Sequence, residues 1–414
     1  MPEFLPIPYA RHGSGLLLVL CSALIAGCAQ GGAGSMPGIP ANSGSALSAA
    51  QRPEALVKAK RHTQSTCPTA YNFKGDRDGS VPEAALFNLN GTLYGTTPTG
   101  GTSDIGTVYK ITGGSESVVH SFTGSPDGSS PYAGLIAVSG SLYGTTIHGG
   151  AHGDGAIFKI TKSGKLSIVY SFNGGPDGAE PATALINDGG TLYGTTPDGG
   201  ATGNGTVFSV TTSGVEKVVY SFANGSDGAG PLASLVPFKG ALYGTTQNGG
   251  TSSEGTVFRV TTSGQERVLH SFTGTDGSGP VAGLVVVNGA LYGTTPNGGT
   301  IRFDAGGTAF KLNAAGKLTV LHSFGGLYDA ADPSAGLLNV EGTLYGTSAL
   351  GGSVGIGTVF AITTSGAESV VCSWPSGTDG EEPMAGVIDV GGTLYGTTQG
   401  GGSASQGTVF AMPL

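Results

Sequence analysis

Leu192-Tyr193-Gly194-Thr195-Thr196 is one copy of a pentapeptide that recurs along this 414-residue chain. The seven copies, of which the sixth ends in serine, have their tyrosines at Tyr94, Tyr143, Tyr193, Tyr243, Tyr292, Tyr345 and Tyr395. Successive copies are therefore 49, 50, 50, 49, 53 and 50 residues apart. A nearly constant period of this length indicates a repeat architecture. Because a residue present in every copy is explained most simply by packing or turn geometry, chemistry is to be sought where one copy differs.

Each repeat contains four short runs of β-branched and aromatic residues, bounded by Gly, Pro, Asp or Asn. Such runs predict β-strands, and no segment has the period of a helix. We name the strands A, which follows a proline; B, the pentapeptide; C, the Gly-Thr-Val-Phe run; and D, the Val-Val-Tyr-Ser-Phe run. The repeat therefore predicts a four-stranded antiparallel unit.

The strand count predicts how the array closes. Seven prolines precede A strands, namely Pro82, Pro131, Pro181, Pro231, Pro280, Pro333 and Pro383. One D strand, at residues 69–73, stands before all the other strands, and the last repeat ends after its C strand at Phe410. If these two ends meet, they complete one blade of a circular β-propeller. We therefore predict an all-β, monomeric, seven-bladed β-propeller of four-stranded antiparallel blades, in which the N-terminal strand joins the C-terminal blade. We also expect the pentapeptide glycine to let an adjacent blade pack closely, because a strand glycine often marks close approach.

Composition excludes several classes of function. The 78 Gly and 22 Pro indicate tight turns, because they recur with the repeat. The net charge is −9, without a basic stripe, which argues against nucleic-acid binding. The sequence has no phosphate loop, zinc-binding cysteine set or nucleotide fingerprint. We therefore assign no catalytic residue and no cofactor, with Ca²⁺ or another divalent cation as the alternative.

The N-terminus resembles a bacterial lipoprotein signal. Arg11 precedes an apolar run at residues 16–26, which is too short to span a membrane, and Gly27-Cys28 follows it. We expect residues 1–27 to be the signal peptide, Cys28 to be lipidated, residues 28–66 to be a flexible Gly/Ser/Ala/Pro tether, and residues 67–414 to be the propeller. An ordinary cleaved signal peptide, with Cys28 incidental, is the alternative. The expected location is the bacterial outer membrane or cell surface, with membrane contact through the lipid anchor only.

Alternating strand directions place the B–C and D–A loops on one face of the propeller. These loops are longer than the A–B and C–D turns, so this face is the candidate ligand face. Every D–A loop carries an aspartate four residues before its proline: Asp78, Asp127, Asp177, Asp227, Asp276, Asp329 and Asp379. We interpret them as turn residues that accept backbone N–H bonds. The alternative is a ring of carboxylates that attracts cations or sugar hydroxyls.

Two B–C loops differ from their counterparts. The second repeat carries His148, His152 and Asp154, which are weak candidates for a metal site because a Gly-rich loop fixes no geometry. The fifth repeat carries a three-residue extension with Arg302, Phe303 and Asp304, which are candidate ligand-face residues. A polar surface loop and a tolerated insertion are the respective alternatives.

Other histidines occupy a repeated position. His120, His270 and His322 stand in D strands where other repeats have Tyr or Cys372, so we interpret them as structural variants. Two cysteines remain beyond the N-terminal segment, Cys67 and Cys372. In an exported protein they could form a disulfide that closes the ring, but spacing alone does not decide between a bond and two thiols.

The repeats resemble the GloVer tandem-repeat family of exported bacterial proteins with varied surface anchors. The resemblance rests on Gly-Thr-Val-Phe-x-x-Thr-Thr-Ser-Gly at residues 205–214 and 255–264, on the Ser121–Leu135 stretch and on the pentapeptide. It covers residues 69–414 and implies an exported repeat protein of no established activity. Our first hypothesis is an envelope-anchored binding or scaffold module for a glycan or an envelope protein. The alternative is a secreted carbohydrate-active enzyme, a polysaccharide lyase or hydrolase, that uses the B–C/D–A face. Because no set of catalytic residues is recognised in the sequence, we favour the non-enzymatic hypothesis.

Overall fold

The computed structural model describes residues 65–301, 306–313, 315–326 and 328–414. These residues belong to one compact unit that spans His62–Leu414. The described part of the chain contains strands, turns and bends but no helix. The expected signal peptide, Cys28, and the loop residues Arg302, Phe303 and Asp304 lie outside the described residues.

Seven four-stranded antiparallel sheets form a ring, and we number them blades 1–7 along the chain. Within each blade the strands lie in the order A, B, C, D. The bounds of strands A to D are Phe87–Leu89, Thr92–Thr97, Thr107–Thr112 and Ser115–Ser121 in blade 1; Ile136–Val138, Ser141–Thr146, Ala156–Ile160 and Leu166–Ser171 in blade 2; Ile186–Asp188, Thr191–Thr196, Thr206–Thr211 and Glu216–Ser221 in blade 3; Val236–Phe238, Ala241–Thr246, Thr256–Val260 and Glu266–Ser271 in blade 4; Val285–Val287, Ala290–Thr295, Thr308–Leu312 and Leu318–Ser323 in blade 5; and Leu338–Val340, Thr343–Ser348, Thr358–Thr363 and Glu368–Ser373 in blade 6.

Blade 7 is completed by strand exchange. Its strands A, B and C are Ile388–Asp389, Thr393–Thr398 and Thr408–Pro413, and its strand D is Thr69–Asn72, from the beginning of the described chain. Tyr71 pairs with Val409 in an antiparallel register. The predicted seven-bladed fold and its closure are therefore confirmed.

Three two-residue strands lie outside the A–D positions of the blades. Ser65–Thr66, which the sequence analysis assigned to the tether, pairs in parallel with the D strand of blade 6. Ala330–Ala331, in the D–A loop that joins blades 5 and 6, pairs with Leu350–Gly351 in the B–C loop of blade 6.

The A strands are shorter than predicted and do not begin directly after the prolines. In blade 1, for example, strand A begins at Phe87, five residues after Pro82. The intervening stretch bonds to the neighbouring blade instead of to its own sheet, since the Ala84 carbonyl accepts a hydrogen bond from Thr397 Oγ1. These stretches line the ring axis and lie side by side: a Cβ added at Gly134 would lie 3.2 Å from the carbonyl oxygen of Ala85 in the preceding blade.

The hydrophobic core lies between blades. One cluster combines Tyr193, Val207 and Phe222 of blade 3 with Leu242 and Phe258 of blade 4. Each interface contains an aromatic pair whose ring centroids lie 5.0–5.3 Å apart, and the seven pairs are Phe73–Tyr109, Phe122–Phe158, Phe172–Phe208, Phe222–Phe258, Phe272–Phe310, Phe324–Phe360 and Trp374–Phe410. Six of the pairs are edge-to-face and Phe324–Phe360 is tilted. Edge-to-face pairs add about 0.5–1.5 kcal/mol each beyond the burial of their area.

The threonines of the pentapeptide connect each blade in two directions. The first threonine of every copy donates its hydroxyl to a backbone carbonyl at the start of the next blade, and the seven bonds are Thr96–Ala133, Thr145–Thr183, Thr195–Ala233, Thr245–Ala282, Thr294–Ala335, Thr347–Ala385 and Thr397–Ala84. The second residue bonds within its own blade, as Thr196 Oγ1 does to Thr206 Oγ1 at 2.9 Å. The pentapeptide is therefore a packing element of the ring.

The pentapeptide glycine is required by space within its own blade. We expected this kind of glycine to allow close approach of an adjacent blade. A Cβ added at Gly194 would instead lie 2.6 Å from the ring of Phe208, its partner on strand C of the same blade. The aromatic ring of Phe208 lies across Gly194 because the two residues face each other in the antiparallel ladder. The expectation that the glycine makes room for an adjacent blade is therefore wrong.

Candidate functional site: the loop face of the propeller

The B–C and D–A loops pair with each other and form one face, as predicted. Ser129 of a D–A loop bridges to His148 of the following B–C loop, and Ala229 bridges to Asn248 in the same way two blades later. We call this surface the loop face.

The D–A aspartates are turn residues that also hold a D-strand side chain. Asp177 Oδ2 accepts hydrogen bonds from the backbone N–H of Asn173 at 3.1 Å and from the Tyr170 hydroxyl at 2.8 Å. We call this bond between the D-strand side chain and the aspartate a brace. It occurs in six blades, and the pairs are Tyr71–Asp78, His120–Asp127, Tyr170–Asp177, Tyr220–Asp227, His270–Asp276 and His322–Asp329. This supports the turn interpretation of these aspartates and the structural interpretation of the three histidines. The pairing was not predicted, although the spacing of six or seven residues between the two positions is visible in the sequence.

A glutamate from the next blade lies beside four of these braces. Glu116, Glu216, Glu266 and Glu368 occupy equivalent D-strand positions, and in each the side-chain Oε1 is buried without a hydrogen-bond partner in the described structure. Burial, and then the charge of the neighbouring aspartate, raises the pKa of each glutamate to about 7.

A disulfide takes the place of the tyrosine or histidine and the glutamate at the interface of blades 6 and 7. Cys67 and Cys372 are bonded, with their Cα atoms 5.2 Å apart. Cys372 stands at the Tyr/His position of blade 6, and Cys67 stands at the glutamate position of blade 7. Since Ser65 Oγ also donates to the Val371 carbonyl at 2.7 Å, the first described residues are tied to blade 6.

A large cleft lies at the seam where blade 7 meets blade 1. Its volume is about 1250 Å³, and its lining includes Tyr71, Lys74, Arg77, Asp104 and Glu116. No other D–A loop contains a lysine or arginine in its sequence. Lys74 and Arg77 are exposed, and Lys74 lowers the pKa of Glu116 against the stronger raising effect of burial. This seam cleft therefore breaks the symmetry of the ring. It was not predicted from the sequence, because its D–A loop follows the exchanged strand.

Carboxylates from three consecutive blades converge beside the axis on the loop face. Burial raises the pKa of Glu83 to about 7, the Gln399 amide that donates to Glu83 Oε1 at 2.8 Å lowers it, and Glu382 raises it. The pKa of Glu382 is raised most by burial, then by the charge of Glu381 and then by that of Asp332. We call Glu83, Asp332 and Glu382 the axial acids.

The B–C loop of blade 2 does not gather its polar residues into one group. His148 and His152 are exposed, and His148 lowers the pKa of Glu180, which burial and Asp198 raise. A Cβ added at Gly174 would lie 2.5 Å from Asp154 Oδ2, so that carboxylate faces a D–A loop. Among the described residues, His148, His152 and Asp154 do not form a group of potential ligand atoms within 4.8 Å of one another.

No helix that is long and apolar enough to cross a membrane occurs in the described ranges. The fold, the exchanged strand and the paired loops define a seven-bladed β-propeller built from tandem repeats. The chain belongs to the Gloeobacter/Verrucomicrobia repeat family, whose profile matches residues 55–253, 112–304 and 239–414. The predicted family resemblance is thus confirmed.

Solved structures with a similar fold include two from Bacteroides. One, from Bacteroides uniformis ATCC 8492, is described as a putative 6-phosphogluconolactonase; it is 15% identical, with a TM-score of 0.48, and the match covers 74% of this chain and 88% of that chain. The other, from Bacteroides fragilis NCTC 9343, has the same description; it is 16% identical, with a TM-score of 0.46, and the match covers 74% and 86%. Such a likeness says nothing about the activity of this chain. No curated protein matches it.

Proposed function

We propose that this propeller is an envelope-anchored binding module that holds a polar glycan in the seam cleft. The observation that carries the proposal is the cleft of about 1250 Å³ between blades 7 and 1, which contains the only D–A lysine and arginine of the chain. Small-molecule sites usually measure about 300–1,000 Å³, so this open cleft suits an extended ligand.

The chemistry of the cleft favours a polar sugar chain, because its lining combines two cations with the four carboxyl groups of Asp76, Asp78, Asp104 and Glu116. Lys74 and Arg77 donate hydrogen bonds and carry positive charge, and an arginine can bind a carboxylate through two parallel bonds. Asp104 and Glu116 can accept hydrogen bonds from sugar hydroxyls, and the lining also includes the hydroxyl groups of Thr102 and Ser103. Purely apolar ligands would leave these groups unpaired.

The cell-envelope location rests on the N-terminal signal together with the disulfide. Disulfides persist in exported proteins and are rare in the cytosol, so the bond between Cys67 and Cys372 supports export. Lipidation of Cys28 would then anchor the chain, with the tether between the anchor and the propeller. Mass spectrometry of the membrane fraction tests this part: a chain that begins at an unlipidated residue contradicts it.

A screen of the purified protein against acidic and neutral glycans tests the binding function. We expect binding that Lys74→Ala and Arg77→Ala each weaken by about tenfold or more, as for a lost charge-assisted hydrogen bond. Lys162→Ala is the matched control, because Lys162 is an exposed cation of a C–D turn on the opposite face. Equal binding by all three variants would remove the seam cleft from consideration, and retention of an envelope protein instead of a glycan would identify the other partner class.

An enzymatic role is the second candidate, and the axial acids favour it. Glu83 has a pKa of about 7 and lies near the axis, where it could donate a proton to a leaving group, while Glu382 nearby could act as the ionised partner. The assay measures new reducing ends or unsaturated uronate from polysaccharides. Turnover that Glu83→Gln abolishes would support this candidate, whereas equal activity of the wild type and Glu83→Gln would exclude it.

A further inference from the structure

Six blade interfaces carry a Tyr–Asp or His–Asp pair, and one of the six departs from a rule that the other five follow. Where the D-strand residue of the brace is Tyr, the next blade presents a glutamate beside it; where it is His120 or His270, the next blade presents Leu166 or Leu318. The interface of blades 5 and 6 combines the two patterns, because His322 and Asp329 lie beside Glu368.

This exception assembles an imidazole and two carboxylates. His322 Nε2 lies 3.0 Å from Asp329 Oδ2, and one ligand atom from each of His322, Asp329 and Glu368 lies within 4.8 Å of the others. In the described ranges, no second group of three His, Cys, Asp or Glu side chains meets this distance. The side chains of His322 and Asp329 are 25% and 11% exposed, so both are largely buried but an ion in solvent can still reach them.

The group places the two carboxylates of Asp329 and Glu368 beside a single imidazole, that of His322. Glu368 Oε1 is buried and has no hydrogen-bond partner in the described structure. A divalent cation would neutralise both carboxylates and give the buried oxygen a partner.

We propose that His322, Asp329 and Glu368 bind a divalent transition-metal ion, with zinc as the reference ion. The imidazole favours zinc and its neighbours over Ca²⁺ and Mg²⁺, which prefer oxygen ligands. Three protein ligands leave a fourth position for solvent. The ion links blade 5 to blade 6, next to the interface of blades 6 and 7 that the Cys67–Cys372 disulfide links.

Zinc binding by untagged, chelator-treated protein tests the proposal, by calorimetric titration and by elemental analysis after dialysis. We expect one zinc per chain in the wild type and none in His322→Tyr or Glu368→Leu. The first variant reproduces the Tyr–Asp–Glu set of three other interfaces, and the second reproduces the His–Asp–Leu set of two others. Since the fold already accommodates both sets, circular dichroism should show native structure in each variant.

A gain of binding provides an independent check. Leu166→Glu completes a second His–Asp–Glu set with His120 and Asp127, so this variant should bind two zinc ions. Replacement of both His148 and His152 by Ala is the matched control and should leave one bound zinc. The proposal is overturned by a folded wild type that binds no zinc, by zinc binding that persists in both His322→Tyr and Glu368→Leu, or by its loss in the His148/His152 control.

Discussion

Cys67 and Cys372 are bonded to each other at the two positions where other blade interfaces place a glutamate and a tyrosine or histidine. The bond lies at the interface of blades 6 and 7, beside the place where the exchanged D strand enters blade 7. It therefore fixes the first strand of the domain to the blade that precedes the closing one.

Loss of this disulfide should destabilise the ring. Because the two cysteines are 305 residues apart, the bond restricts a long loop in the unfolded chain. Replacing both with Ser should lower the free energy of unfolding by about 2–5 kcal/mol, measured by urea denaturation. The pair Cys67→Glu and Cys372→Tyr installs the side chains of three other interfaces and should recover part of the loss. An unchanged urea midpoint in the Ser variant would contradict this account.

Ala156→Thr should stabilise blade 2. Six blades pair the last pentapeptide hydroxyl with a threonine of strand C, but Ala156 leaves the buried Thr146 Oγ1 without a partner among the described residues. The added hydroxyl should raise the free energy of unfolding by about 1 kcal/mol. Thr206→Ala removes the matching side-chain bond in blade 3, where Thr196 Oγ1 keeps its bond to the Asp198 carbonyl, and should cost about 1 kcal/mol. A loss of stability in Ala156→Thr, or a gain in Thr206→Ala, would show that the hydroxyl pair does not stabilise the blade.

Tyr109→Phe should be neutral or stabilising. Tyr109 is the one tyrosine at a strand C position that is Phe in the other six blades, and its buried hydroxyl has no partner in the described structure. Removing an unsatisfied buried hydroxyl should stabilise the domain by up to about 1–3 kcal/mol. The matched variant Phe158→Tyr introduces the same defect in blade 2 and should lower the thermal midpoint. A clear loss of stability in Tyr109→Phe would point to a role for that hydroxyl.

Stability should fall as pH rises through the neutral range. The pKa values of Glu116, Glu216 and Glu266 are about 7 in the folded chain, against 4.5 for an ordinary glutamate. Since the folded chain binds these protons more tightly, their contribution is full below pH 4.5 and is lost as pH approaches about 7. The urea midpoint should therefore be higher at about pH 5 than at about pH 8.

The matched control for this pH dependence replaces the same three glutamates with Gln, which keeps the shape of the protonated acid. The variant should show a flatter dependence of the urea midpoint on pH. An equally steep dependence would mean that other groups, such as the axial acids, control it.

Much of the architecture could be predicted from the pentapeptide and its neighbours. Their period gave the number of blades, and the unpaired strand at residues 69–73 gave the closure, because each blade must bury two apolar faces. The start of strand A was wrong, since nothing in the sequence shows that the stretch after Pro82 bonds to another blade. The reason for the pentapeptide glycine was wrong as well, because it depends on which ring faces Gly194 across the ladder.

The candidate sites were less accessible to sequence reasoning. His148 and Arg302 stood out because their loops are unusual, whereas the seam cleft and the axial acids combine ordinary residues from different blades. His322 was interpreted only as a variant of a D-strand tyrosine. Its two carboxylate neighbours lie seven and 46 residues away, and only one of them is in the same loop.

The sequence by itself determined the all-β class, the repeat of about 50 residues, the seven blades and the exchange of the first strand. These features follow from local strand periodicity and from the need to bury the faces of every repeat. Only the tertiary structure decided that Cys67 reaches Cys372, that Glu368 reaches His322, and that a cleft opens between blades 7 and 1. The reason is physical: a period fixes what each blade looks like, but contacts between blades depend on how the ring curves and brings distant segments together.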